Sequence, residues 1–161
     1  LTGHLVLSTL HTNDAPSAVS RLLELGVPAY LLKATILGVM AQRLVRTLCP
    51  HCKQPDSVDE VAWQELIKPW KAASPKTVYK PTGCLECRNT GYYGRQGIYE
   101  ILPLSESVQE LLDVDVNLQQ IRHQGMKEGM RTLRLSGAQK VAAGDTTIEE
   151  VMRVAPAPAK K

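Results

Sequence analysis

Leu5-Val6-Leu7-Ser8-Thr9-Leu10 is a short, almost uninterrupted apolar run in a chain of 161 residues. Thr2-Gly3-His4 precedes it and His11-Thr12-Asn13-Asp14 follows it. A run of this length between turn formers suits a strand buried on both faces, as in a parallel sheet. In an open parallel sheet, ligands sit beyond the carboxyl ends of the strands. That rule puts His11-Thr12-Asn13 where a nucleotide or substrate would lie, with Ser8 and Thr9 adding polar groups. His4 and His11 flank the strand at its two ends. By spacing alone this is a weak signal, since a histidine beside a strand end is more often a solvated or capping residue.

Outward from this strand the pattern turns helical. Asn13 or Asp14 can cap a helix with Pro16 in its first turn, running to about Leu25 and stopped by Gly26. A second helix is expected from Pro28 to about Met40, with Leu32, Ile36 and Val39 on its apolar face. Periodicity does not separate helix from strand over 42–48. Ser57-x-x-Glu60 reads as a capping box for a helix that Pro69 should disturb. Gly91–Leu102 reads as a turn and a strand. Four short helices follow at about 105–113, 117–124, 131–143 and 147–154. Gly125 and Gly144 are expected stops, and Thr147-x-x-Glu150 is a second capping box. The tail from Ala155 offers nothing to bury and is expected to be disordered.

The four cysteines fall into two pairs, Cys49-Pro50-His51-Cys52 and Cys84-Leu85-Glu86-Cys87, with none left over. A C-x-x-C turn places two sulfurs on one side of a tight loop, and two such turns complete a closed tetrahedral zinc shell with no open position. Residues 53–83 make a wider gap than a zinc ribbon usually has, but loop-closure entropy grows slowly with length. A disulfide staple, a thioredoxin-like dithiol and buried core thiols are the competing readings. The polar neighbours Lys53, Glu86 and Arg88 argue against core thiols. His51 is a bystander, because four thiolates already fill the shell.

Composition excludes several classes. A hydrophobic fraction of 43% with 22% charged residues is ordinary for a globular chain. A formal charge of +3, and 4% aromatics without phenylalanine, supply neither a basic surface nor stacking platforms for nucleic acid. Residues 116–144 carry Arg122, Lys127, Arg131, Arg134 and Lys140 against Glu128, which fits a solvated face or a subunit contact. No run of about 18 apolar residues exists to span a membrane. The chain opens on Leu1 in what already reads as the middle of a fold, so a larger parent is expected.

Thr2-Gly3-His4-Leu5-Val6-Leu7-Ser8-Thr9-Leu10-His11-Thr12-Asn13-Asp14-Ala15 resembles the His box of the hexameric ATPases of type II secretion and type IV pilus assembly. The likeness continues through Leu22–Pro28, Ala41–Arg46, both cysteine pairs, Gly91-Tyr92-x-Gly94-Arg95-x-Gly97-Ile98-Tyr99-Glu100, Gly129–Leu133 and Gly144–Val151. The resemblance implies an α/β fold: a partial RecA-like P-loop NTPase sheet with a tetracysteine zinc-binding insertion and a helical carboxy-terminal subdomain. The implied divisions are 1–48, 49–100 and 101–154, with a tail over 155–161. It implies that His4 and His11 act on the γ-phosphate side of a nucleotide, and that Thr9 and Arg43 help to bind it. Arg46 and Arg95 are candidates for the nucleotide edge or a subunit interface. Zinc would be held by Cys49, Cys52, Cys84 and Cys87.

Family partners follow in the same way: a homo-hexamer, an inner-membrane platform protein and cytoplasmic secretion or pilus components, with no nucleic acid. The expected location is the cytoplasm, peripheral to the inner membrane. Family members carry Walker A and Walker B motifs ahead of the His box. This sequence contains no G-x-x-x-x-G-K-[ST], and none of its lysines directly follows a glycine. ATP and magnesium are therefore expected of the parent, and this chain alone is expected to be inactive. A free-standing zinc-ribbon module is the alternative.

Overall fold

The computed structural model describes residues 3–113, 115–155 and 157. Its organising element is a long antiparallel ribbon of β1 (Gly38–Leu48) and β4 (Tyr92–Pro103), in register from Gly38 opposite Pro103 to Arg46 opposite Arg95. The ladder is irregular between Arg46 and Leu48, and resumes with Leu48 opposite Tyr92. Alternation along the strands sorts the side chains. Ala41, Val45, Ile98, Glu100 and Leu102 point into the core, while Met40, Leu44, Tyr99 and Ile101 stay exposed.

Among the described residues, seven helices surround the ribbon: α1 (Ala15–Glu24), α2 (Ala29–Thr35), α3 (Glu60–Ile67), α4 (Glu106–Glu110), α5 (Leu118–Lys127), α6 (Leu133–Ala142) and α7 (Ile148–Val154). Two short strands, β2 (Gln54–Asp56) and β3 (Val78–Lys80), pair antiparallel beside the cysteine region. The core joins Val19 of α1 and Leu66 of α3 to Ile121, Val141 and Val151 of the later helices, around Ile98 and Leu102. No helix among the described residues is long and apolar enough to cross a membrane.

Buried charge ties the layers together. Glu100, 3% exposed, accepts hydrogen bonds from Ala15 N at 2.8 Å and Leu133 N at 3.2 Å. One carboxylate thus joins the N-termini of α1 and α6, where helix dipoles favour negative charge. Burial nevertheless pushes its pKa up, against the pull of those two N–H groups. Asp14 caps α1 through Ser17 N and pairs with the buried Arg122 at 2.5 Å.

Several expectations need correction. Leu5–Leu10 forms no ladder: Leu5, Val6 and Leu7 are 75%, 78% and 89% exposed. A strand exists only through hydrogen bonds to a neighbour, and no strand among the described residues pairs with this one. The helix expected to reach Met40 stops at Thr35, because Gly38–Met40 pair with Ile101–Pro103. The ambiguous 42–48 segment is strand. Asp59, not Ser57, caps α3, its carboxylate accepting from Val61 N and Ala62 N.

Gly125 does not stop α5. It lies inside the helix, where a Cβ would come within 2.7 Å of Leu102, and Gly129 at φ +100° follows the helix end instead. Strand β4 runs through residues 100 and 101 and pairs with β1, which ends at Leu48. Of the tail, residues 156 and 158–161 lie outside the described residues.

Candidate metal centre and histidine pair

Cys49 sits at the end of β1, 0% exposed, and Cys52 closes the turn that follows it. Cys84 and Cys87 form the matching turn ahead of β4. The four sulfurs lie within 4.8 Å of one another. Cys49–Cys84 and Cys52–Cys87 are each 3.8 Å apart, and Cys84–Cys87 is 3.7 Å. Sulfurs at about 2.3 Å from a tetrahedral metal stand about 3.8 Å from each other, so the donor set fits that geometry and chemistry. The same distances are far too long for a disulfide bond of about 2 Å, and all four cysteines are free.

Backbone N–H groups point at the sulfurs. Gly83 N donates to Cys52 Sγ at 3.3 Å, and Cys84 N and Gly91 N donate to Cys87 Sγ at 3.2 Å each. Burial pushes the Cys87 thiol up, but those N–H donors together with the neighbouring Cys84 and Cys52 thiols outweigh it and hold it down at about 6. For Cys84, a backbone hydrogen bond lowers the pKa, yet burial and the neighbouring sulfurs together push it up to about 11.

Two glycines make the turns possible. At Gly83 a Cβ would meet Asn89 O at 2.9 Å, and at Gly91, φ +76°, it would meet the Pro81 Cβ at 2.3 Å. His51 is exposed and outside the sulfur cluster.

The histidine pair is arranged differently. His4, Thr9 and His11 are exposed in the segment before α1. Arg43 is half-buried, and its Nη2 donates to Thr12 O at 2.9 Å and Asn13 O at 3.1 Å. The guanidinium thereby fixes the end of the His11–Asn13 turn against β1. Among the candidate nucleotide residues, Arg43 and the loop after His11 are brought together.

Other charges found partners that spacing did not announce. Arg46 makes a bidentate contact with Glu150 Oε2, at 3.1 Å from Nε and 2.8 Å from Nη2, and lies 4.1 Å over the Tyr92 ring. Glu150, 2% exposed, also accepts from Arg46 N and Arg153 Nη2. Only half of the expected Thr147–Glu150 capping box forms. Thr147 Oγ1 accepts from Glu150 N at 3.2 Å, while the Glu150 carboxylate serves the arginines. In the basic 116–144 stretch, Arg122 pairs with Asp14 and Arg134 donates to Ala155 O.

A family model described as "Type II/IV secretion system protein" matches residues 1–153. The type IV pilus assembly ATPase TfpB of Acinetobacter baylyi is 52% identical over 156 residues. That match takes in 97% of this chain and 27% of the relative. The type IV pilus assembly ATPase PilB of Myxococcus xanthus is 44% identical, over 94% of this chain and 27% of its own length. The type II secretion system ATPase E of Vibrio cholerae is also 44% identical, over 96% of this chain and 30% of its own length. The chain thus spans under a third of these curated relatives.

Proposed function

The chain belongs to the type II/IV secretion system protein family, and from that membership we propose that it is the carboxy-terminal part of a hexameric ATPase. That motor couples ATP hydrolysis to type II protein secretion or type IV pilus assembly. The observation carrying this reading is the match over nearly the whole chain to ATPases of both systems. The exposed apolar run Leu5–Leu10 supports it. Within a RecA-like sheet of the whole protein, neighbouring strands would cover that run and supply its backbone hydrogen bonds.

His4 and His11 then serve the γ-phosphate side of ATP as hydrogen-bond donors toward developing negative charge. Thr9 adds a polar group, and Arg43 steadies the loop after His11. The phosphate cradle and the magnesium ligands lie outside this sequence. Zinc, held by Cys49, Cys52, Cys84 and Cys87, plays a structural part, because a closed four-thiolate shell leaves no position for substrate. The three divisions 1–48, 49–100 and 101–154 describe roles along the chain: ATPase core, zinc element and helical subdomain. The partners are further copies in a hexamer, an inner-membrane platform protein and cytoplasmic secretion or pilus components, at the cytoplasmic face of the inner membrane.

ATPase measurements test this reading. The 161-residue chain should show no turnover, whereas the full-length parent should hydrolyse ATP. His11→Ala in the parent should lower kcat about a hundredfold, the weight of one donor to a developing oxyanion. Family-like turnover by the isolated chain, or an unaffected His11→Ala parent, would refute it.

A further inference from the structure

One short segment touches both sides of the Cys49–Cys52 turn and the start of β4. It is the turn between α6 and α7, residues 144–147. Asp145 O accepts from Leu48 N at 2.7 Å, one residue before Cys49. Gly144 O accepts from Lys53 Nζ at 2.7 Å, one residue after Cys52. Thr146, 0% exposed, donates from its hydroxyl to Arg46 O at 2.8 Å. Thr147 Oγ1 lies 3.3 Å from the hydroxyl of Tyr92, at the start of β4.

Tyr79 of β3 completes the contact. Its ring lies 4.7 Å from Lys53 Nζ and so close to Gly144 that a Cβ there would fall 2.8 Å from it. Gly144 also holds φ +75°. A side chain at this position would disturb both the turn and the tyrosine.

We propose that residues 144–147 are a positioning element for the four-cysteine centre, so that metal binding and the docking of the α6–α7 turn on β1 strengthen each other. The inference rests on reading the cysteine cluster as a metal centre. None of these residues is a ligand; they act through the backbone on either side of the Cys49–Cys52 turn. A metal requires four sulfurs held about 3.8 Å apart. A turn anchored at both Leu48 and Lys53 has less freedom left to lose when the metal arrives. The coupling is reciprocal by linkage, so bound metal must in turn hold residues 144–147 in place.

Zinc affinity of the full 161-residue chain, measured by competition with a chromophoric chelator, tests the proposal. Lys53→Met and Thr146→Val should each weaken zinc about three- to tenfold, the weight of one net hydrogen bond. Thr146→Ser, which keeps the hydroxyl, should restore affinity. Cobalt spectra of all variants should keep the tetrahedral four-thiolate signature. Val108→Ala, in the core beside α5, should lower general stability but leave zinc affinity within about twofold. Chelation should speed amide exchange at Leu48.

Zinc affinity unchanged in both Lys53→Met and Thr146→Val would overturn the proposal alone. So would an equal loss in Val108→Ala, which would reduce the effect to general stability. Failure of the unmodified chain to bind zinc would instead overturn the metal reading beneath it.

Discussion

Replacing Glu150 by Gln should destabilise the fold by about 2 kcal/mol at neutral pH. The side chain is 1% exposed and its carboxylate is held by Arg46 and Arg153. Burial alone would push the carboxyl up, but the hydrogen bonds from Arg46 and Arg153 outweigh it and hold the pKa at about 2. Moving a carboxyl from its ordinary 4.5 to about 2 corresponds to ~3 kcal/mol, at ~1.4 kcal/mol per pH unit. Arg46 and Arg153 are 47% and 59% exposed, so solvent screening reduces the figure to about 2 kcal/mol.

The sign of the pH dependence follows from the lowered pKa. The stabilisation is fully present above the unfolded value of 4.5 and is lost as pH falls toward about 2. Urea unfolding of wild type and Glu150→Gln, followed by circular dichroism at matched pH values, measures the difference. The gap should stay constant from pH 7 to about 5 and close below that, as the wild-type carboxyl protonates. Comparing the two proteins at each pH cancels the protonation of the cysteines, which both share. A gap under about 0.5 kcal/mol at pH 7, or one that does not shrink in acid, refutes the reasoning.

Glu100→Gln should cost about 1–3 kcal/mol in urea unfolding, because the new amide turns an N–H donor toward a buried backbone N–H; wild-type stability would refute the shared cap of α1 and α6. Gly91→Ala should strip the cysteine centre of zinc at chelator concentrations the wild type withstands, since its Cβ would sit 2.3 Å from Pro81; elemental analysis after dialysis checks this, and full zinc retention would count against it. Purified without chelators, the chain should hold about one zinc, with all four thiols protected from titration until the metal is removed. Less than about half a zinc, with thiols that titrate freely, would rule the centre out.

The cysteine centre was legible because its geometry is local. Each C-x-x-C turn presents two sulfurs whatever lies between the pairs, so spacing alone brought out all four clustered cysteines. The caps at Asp14 and Thr147 were legible for the same reason, since each bonds a backbone N–H three residues on. Capping failed as a guide at Ser57, where the neighbouring Asp59 offered a carboxylate to the first helical turn. It failed in part at Glu150, whose partner Arg46 lies 104 positions away. The residues after Pro28 were misread because Val39 and Met40 suit an apolar helix face as well as a strand; pairing with Ile101 and Leu102 decided it.

The sequence by itself determined the family, the paired cysteines and the positions of most helices, since these depend on residues only a few positions apart. Only the tertiary structure decided the β1–β4 ribbon, the burial of Glu100 between two helix ends, and the contacts of residues 144–147 with Leu48 and Lys53 beside the Cys49–Cys52 turn. Each of those joins groups far apart in the chain, and a hydrogen bond or a packed contact exists only once both partners are in place. Leu5–Leu10 marks the boundary between the two. Its composition suits a strand, but strand structure belongs to a pair of segments, and the described residues provide no second one.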